Sequence, residues 1–356
     1  MSKLDQLHSE AVELLKGLIK IPSFSKHEDE TARFLAGFFE SKNCKVFRVQ
    51  NNVWIRNLHF DSGKPTILLN SHHDTVKPNS GYTVDPFDPV ENSGRLYGLG
   101  SNDAGGCLVA LIATFLYFYG NEDLKYNLIF AASAEEEISG TNGIEALLEH
   151  LPAIDAAIVG EPTLMQLAIA ERGLMVIDAL ATGQAGHAAR DEGINALYLA
   201  LQDIDRLKSY RFAKSSELLG PVKLSVTSIS TSNTAHNVVP ADCRFVIDVR
   251  VNEHYELEEI LNELRGITKS ELTPRSLRLR STSISPDHPL VQTGIRLGQQ
   301  TYGSPTTSDK ALMPFPALKM GPGDSARSHT ANEFIYTEEI RKGIELYIQM
   351  LNTVLL

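Results

Sequence analysis

Near the N-terminus, apolar side chains fall at Leu4, Leu7, Ala11, Leu14, Leu15, Leu18 and Ile19, with charged residues between them. That spacing is one face of a helix, not the apolar core of a signal peptide. Pro22 breaks the pattern, and Ser25-x-x-Glu28 reads as a capping box opening a second helix that runs to about Ser41. Apolar runs predict strands at 45–50, 53–56 and 66–70; in the last, Ile67, Leu68 and Leu69 are consecutive, as in a buried strand. Residues 77–96, rich in Pro, Asp and Gly, are too long for a plain connection and mark a functional loop. A helix is predicted from Gly106 to about Tyr119, a strand at 127–132, a helix at 143–151 and a strand at 156–159. Strands alternating with helices predict an α/β domain whose polar residues lie beyond the strand ends.

Around Arg172 the pattern changes. Residues 174–182 alternate like a half-exposed strand, 194–207 are helical, and 221–228 and 242–251 are strands. Residues 257–272 read as helix and 276–281 as strand. This β-α-β-β-α-β order predicts a ferredoxin-like (α+β) domain at 172–281, inserted into an α/β domain made of 1–171 and 282–356. The α/β pattern returns with a helix near 290–301, a strand at 317–320 and a last helix at 337–355.

Composition narrows the picture. A chain of 356 residues with 42% hydrophobic and 22% charged residues is an ordinary globular protein, long enough for two domains. The net charge of −11 excludes the basic field of a nucleic-acid surface. Cys44, Cys107 and Cys243 are far apart and form no CxxC pair, which fits a reducing compartment without disulfides or a thiolate zinc site. No apolar run approaches a membrane span. The expectation is a cytoplasmic protein with neither nucleic-acid nor membrane partners.

The residues that follow strands carry the chemistry: His72, Asp74, Asp103, Glu135, Glu136, Glu137, Glu161 and His329. In extended chain His72 and Asp74 share a side and His73 faces away. A carboxylate beside an imidazole takes the proton of one ring nitrogen and frees the other for a metal. Three successive glutamates after an apolar strand form either a solvated acidic loop or, if buried, a like-charge cluster that needs a cation. Carboxylates and imidazoles without thiolates suit one or two Zn²⁺ ions with open coordination positions. Asp103, between glycine-rich segments and just ahead of a helix, is placed to bridge two.

Taken in order, His72-His-Asp74-Thr-Val, Gly98-Leu-Gly-Ser-Asn-Asp103-Ala-Gly-Gly, Glu135-Glu-Glu137, Gly160-Glu161-Pro-Thr, Gly186-His187, Asn237-Val-Val-Pro, Asp248-Val-Arg250 and His329-Thr-Ala-Asn-Glu333 span nearly the whole chain. With these motifs the chain resembles the zinc amidohydrolase family of acetylornithine deacetylase, succinyl-diaminopimelate desuccinylase, aminoacylase and carboxypeptidase-G. The wording is closest to the acetylornithine deacetylase branch. The resemblance implies a zinc-exopeptidase-like catalytic domain with a mixed central sheet, plus an inserted lid through which the chain forms a homodimer. It implies two divalent ions, Zn²⁺ or Co²⁺, one held by His72, Asp103 and Glu161 and the other by Asp103, Glu137 and His329. Asp74 then orients His72, and Glu136 is the general base; a slip of one position would make Glu135 the base and Glu136 the ligand. His187 corresponds to a lid histidine that stabilises the oxyanion across the dimer. Arg172, Asn237, Arg250 and Lys310 are candidate substrate contacts, with an Arg250–Asp248 ion pair as the competing reading. Cys107 is expected to pack, and His59, His150, His254 and His288 match no motif. The implied reaction is deacylation of a small N-acyl amino acid, N-acetylornithine or an N-acylcitrulline, in arginine biosynthesis. A succinyl-diaminopimelate desuccinylase or a di- or tripeptide metallopeptidase is the alternative.

Overall fold

Every residue of Thr66–His72 is buried, so this strand has covered faces and neighbours on both edges. In the computed structural model, which describes residues 2–190 and 192–356, it lies at the centre of a mixed sheet. The strand order is Val46–Val49, Asn52–Arg56, Asn127–Ser133, Thr66–His72, Ala156–Val159, Ala317–Lys319, Leu167–Glu171. Thr66–His72 runs parallel to both its neighbours, Ala317–Lys319 runs parallel to Ala156–Val159, and the flanking strands are antiparallel. His72 lies opposite Ser133, and Val159 lies opposite both Asn70 and Lys319. Parallel direction and matched register thus release the loops after His72, Ser133, Val159 and Lys319 at one end of the sheet.

Side chains alternate between the sheet's faces. Ile67, Leu69, Phe130 and Ile158 join a core with the helices Lys3–Ile19, Gly106–Phe118 and Thr337–Leu355. Leu68, Ile129, Ala157 and Val159 pack on the other side with Ile144 and Leu147 of the short helix Ile144–Leu148. The segment Ser101–Phe118 has a mean hydropathy of 1.3 over 18 residues, long and apolar enough to cross a membrane, which corrects the sequence reading. It is 83% buried inside the protein, and that burial accounts for its composition.

The chain divides into two compact units. The first comprises the chain up to Ile169 with Ser283–Tyr302 and Ser308–Leu356; the second comprises Ala170–Thr282 and Gly303–Thr307. Within the second, an antiparallel sheet runs Lys223–Ser230, Asp242–Val251, Gly173–Thr182, Glu271–Pro274. Its apolar face packs under the helices Ala196–Ser209 and Leu257–Ile267. The last strand precedes the predicted 276–281, and the helix stops short of residue 272. The cause is remote in sequence: the buried Asp203 carboxylate accepts from Lys269 N (3.0 Å), Ser270 N (2.8 Å) and Ser270 Oγ (2.7 Å), fixing a turn there.

Two other local expectations are corrected, and one strand is added. Helix Asp29–Ser41 begins after Glu28 with no side-chain cap, because Ser25 Oγ donates to Asp74 Oδ2 (2.6 Å) instead. The helix predicted near 290–301 is Pro289–Arg296, and a strand Thr301–Ser304 follows. Leu167–Glu171 is a strand that periodicity did not signal.

Candidate metal centre

His72 ends the central strand fully buried. Its Nδ1 lies 3.0 Å from the Asp74 main-chain carbonyl, and a proton donated there leaves Nε2 as a free donor atom. Nε2 faces Asp103 Oδ1 at 3.3 Å and the carboxylates of Glu136 and Glu161 at 3.9 Å each. The other Asp103 oxygen, Oδ2, faces His329 Nε2 at 3.6 Å, and that nitrogen lies 2.9 Å from Glu137 Oε2. Asp103 therefore stands between two imidazoles with one oxygen toward each. The donor atoms of His72, Asp103 and Glu137 lie within 4.8 Å of one another, as do those of His72, Glu136 and Glu161.

The electrostatics of this cluster call for positive charge. Burial pushes Glu136 well above the usual carboxylate range, opposed by His72 and reinforced by Glu161, Asp309 and Glu137. Burial likewise raises Glu161 to about 8, although His72 and Lys319 oppose it. Burial disfavours charge on His72, yet Glu136, Asp103, Asp74 and Glu161 raise it well above its ordinary value. Asp103 is pulled down, against its burial, by the His72 hydrogen bond. Acids that hold protons because they are taken out of water beside one another are a site a divalent cation would relieve. The donor set, imidazole nitrogen and carboxylate oxygen, fits Zn²⁺ or a similar ion. Cys107 is no part of it: its buried thiol donates to the Pro322 carbonyl (3.1 Å).

The backbone carrying the glutamates is held by other carboxylates. Glu136 N donates to Asp74 Oδ1 (3.0 Å), Glu137 N to Asp74 Oδ2 (3.2 Å) and Glu135 N to Glu28 Oε1 (3.3 Å). Glu135 itself turns away, its carboxylate accepting from Asn142 Nδ2 (3.0 Å) and Asn142 N (3.4 Å). Of the triplet, Glu136 faces His72 and Glu161, and Glu137 faces His329. His73 faces away from the cluster, between Thr31 Oγ1 and the Asn51 carbonyl (2.9 Å each), and burial lowers it to about 4.

Several neighbours escaped the sequence reading. Asp309, raised by burial to about 7, accepts from Ser133 Oγ (2.5 Å), and Lys310 beside it is fully buried in the turn Asp309–Leu312. Glu333, raised by burial to about 8, binds the main chain around Asp103. Glu333 closes the motif that begins at His329, and Asp309 is next to the candidate Lys310. An acid at a buried turn was the available signal, but only packing reveals burial.

The remaining candidates belong to the second unit. Arg172 is buried and donates to the carbonyls of Pro221 (2.8 Å), Arg250 (3.3 Å) and Leu219. Arg250 forms a bidentate pair with Asp248 (2.8 and 3.0 Å). His187 sits in a two-residue strand paired with Val238–Val239, its Nδ1 accepting from Ala189 N (3.1 Å). The carbonyl of Asn237, just before that strand, accepts from Ala188 N (3.1 Å).

Residues 68–353 match the model of peptidase family M20/M25/M40. The chain is a member of that family. As an M20-type chain it is an enzyme of the peptidase and amidohydrolase class. It is 27% identical over 267 residues to the succinyl-diaminopimelate desuccinylase of Orientia tsutsugamushi (strain Boryong), covering 70% of this chain and 69% of that one. The M20 fold recurs in the metallo-carboxypeptidase Sso-CP2 of Sulfolobus solfataricus: TM-score 0.78, 17% identity, 97% of this chain and 99% of that one. It recurs also in Bacillus subtilis YXEP, described as a dinuclear metal binding peptidase: TM-score 0.73, 16% identity, 98% of each chain.

Proposed function

We propose that this M20-type chain hydrolyses the amide bond of an N-acyl amino acid at a two-cation centre, with N-succinyl amino acids of the diaminopimelate kind as the leading substrates. The observation that carries the reading is Asp103, whose two oxygens face His72 on one side and His329 on the other. The desuccinylase relative supports the acyl group, and YXEP supports the count of metal ions. His72, Asp103 and Glu161 would hold one ion and Asp103, Glu137 and His329 the other. Such ions, Zn²⁺ or Co²⁺, lower the pKa of water and polarise an amide carbonyl.

The protein's own groups then move the protons. Glu136, part-buried and without the Asn142 tether that holds Glu135, takes a proton from the attacking water as the water oxygen bonds to the carbonyl carbon. When the carbon–nitrogen bond breaks, Glu136 returns that proton to the departing nitrogen. One water is consumed, and a carboxylate and an amine leave. Asp74 keeps Glu136 and Glu137 in place through their backbone N–H groups. His187 as oxyanion donor, the second unit as a lid and the homodimer belong to the same proposal.

The motif wording supports a second reading, deacylation of N-acetylornithine. The two part in one assay: turnover of N-succinyl-diaminopimelate, N-acetylornithine, N-acetylcitrulline and dipeptides by zinc- or cobalt-loaded protein. Preference for a succinyl substrate supports the first reading, and preference for N-acetylornithine moves the assignment to the second. Preference for dipeptides replaces both with a peptidase, and inactivity on all four classes overturns amide hydrolysis.

A further inference from the structure

We infer that Glu333 is a positioning residue that clamps the Asp103 loop to the His329 loop and so sets the second cation position, an inference that rests on the two-cation reading above. Glu333 is fully buried. Its Oε1 accepts from Asn102 N (2.8 Å) and Asp103 N (2.9 Å), and its Oε2 accepts from Gly100 N (3.2 Å). A carboxylate occupied by three backbone donors is a brace for the loop rather than a ligand. Its own main chain adds a bond, the Glu333 carbonyl accepting from Gly98 N (3.0 Å).

The Asn102 side chain fastens the same two loops at another point. Its Oδ1 accepts from Asp324 N (3.1 Å), and its Nδ2 donates to the Asp324 carbonyl (3.0 Å) and to Ser328 Oγ (3.4 Å). The close approach needs a glycine beside it: Gly323 has φ +91, and a Cβ there would come within 2.5 Å of Asn102 Oδ1. His329 is therefore bracketed, by Asp324 and Ser328 before it and by Glu333 after it. All three anchors lie on Gly100, Asn102 or Asp103. The ring of His329 is half exposed and sits on a residue with φ +60. Its placement against Asp103 thus depends on the bracket rather than on burial of the ring. Outer groups that orient a ligand in this way tune metal affinity about 10–100-fold when removed.

The test titrates metal-free full-length protein with Zn²⁺ against a chromophoric chelator, for wild type, Glu333→Gln and Asn102→Ala. In Glu333→Gln an amide N–H₂ replaces one oxygen and meets a backbone N–H. Because Asp103 serves both ions, the expected result is a smaller loss at the first Zn²⁺ position and about 10–100-fold weaker binding of the second in both variants. At limiting Zn²⁺ kcat falls and KM does not, and excess Zn²⁺ restores kcat. Unchanged second-site affinity in the variants overturns the clamp. So does equal weakening of both sites with a lowered Tm, the mark of general destabilisation. If Glu333→Gln does not fold, Asn102→Ala decides. Wild-type protein binding fewer than two Zn²⁺ would instead sink the two-cation reading, and it shows in the wild-type titration alone.

Discussion

The Asp74 carboxylate offers a sharp test, because its oxygens hold the glutamate backbone while its main-chain carbonyl holds His72. In Asp74→Asn the carbonyl contact to His72 survives, while the carboxylate charge 3.4 Å from His72 Nδ1 is lost together with the full brace on Glu136 and Glu137. Oδ2 accepts from the Ser25 hydroxyl (2.6 Å) and from Glu137 N (3.2 Å), and Oδ1 accepts from Glu136 N (3.0 Å). An amide N–H₂ at either position faces a backbone N–H. At the Oδ2 position the serine hydroxyl can reverse and accept, but Glu137 N–H has no partner; at the Oδ1 position Glu136 N–H has none. One buried donor is orphaned either way, at about 1–3 kcal/mol. The larger consequence is kinetic, since a shift of about 1 Å in a reacting group costs on the order of 100-fold in rate. The expected outcome is a kcat about 100-fold lower at near-constant KM, with the full complement of bound metal. Ser25→Ala, which removes one charge-assisted bond worth about 1.5–3 kcal/mol but keeps both backbone bonds, should lower stability and change kcat less than about tenfold. Steady-state kinetics with urea unfolding of both variants measures this. Wild-type kcat in Asp74→Asn, or equal kcat losses in the two variants, would refute the reasoning.

Three further outcomes are expected. Glu136→Gln should retain both cations and lose at least about 10²–10⁴ in kcat, whereas Glu135→Gln, whose side chain only braces Asn142, should lose less than about tenfold; kinetics with metal analysis separates the two registers. In metal-free protein Asp309, Glu161 and Glu333 are raised by burial to about 7, 8 and 8, and His329 by its Glu137 hydrogen bond to about 9. Each of these groups keeps its proton to higher pH folded than unfolded, so the stability tied to those protons falls with rising pH, from about 4 for the three acids and from about 6.5 for His329, and it is still falling in the window from about 6.5 to 9. His73, lowered to about 4, changes stability only below that window. Urea midpoints of the metal-free protein should therefore fall between pH 6.5 and 9, and zinc loading should flatten the trend; a rising midpoint would contradict the assigned shifts. Chelation should lower the Tm, because a cation at about 1,000 times its Kd contributes about 4 kcal/mol; an unchanged Tm would argue against binding at these residues.

Much of the α/β framework was legible because its strands are continuous apolar runs bounded by polar loops, as at Ala156–Val159; in the second unit the alternating strand Asp242–Val251 also matches its predicted limits. Errors arose where a distant side chain overrides the local pattern. The helix predicted to 272 ends at Ile267, beside the turn that Asp203 holds through Lys269 and Ser270. Ser25-x-x-Glu28 has the letters of a cap, yet Ser25 binds Asp74 and Glu28 binds Asn51 (3.0 Å) and the Glu135 backbone. At the centre, the residue types showed which chemistry to look for. The triplet's register did not follow from them, because Asn142 selects Glu135 as the residue that turns away. Glu333 and Asp309 went unread for a related reason: an acid that braces backbone and an acid on a solvated loop look alike in sequence.

The strand Ala317–Lys319 fills the place between Ala156–Val159 and Leu167–Glu171 in the central sheet. On a ribosome those two flanking strands emerge early, and the piece that joins them arrives only after the entire second unit has been made. A nascent chain therefore carries two unsatisfied sheet edges above an apolar layer, the situation in which chaperones are recruited and premature pairing is a hazard. His329 and Glu333 lie later still, so a chain cut short before Ala317 is expected to be an unfinished sheet and not a smaller enzyme.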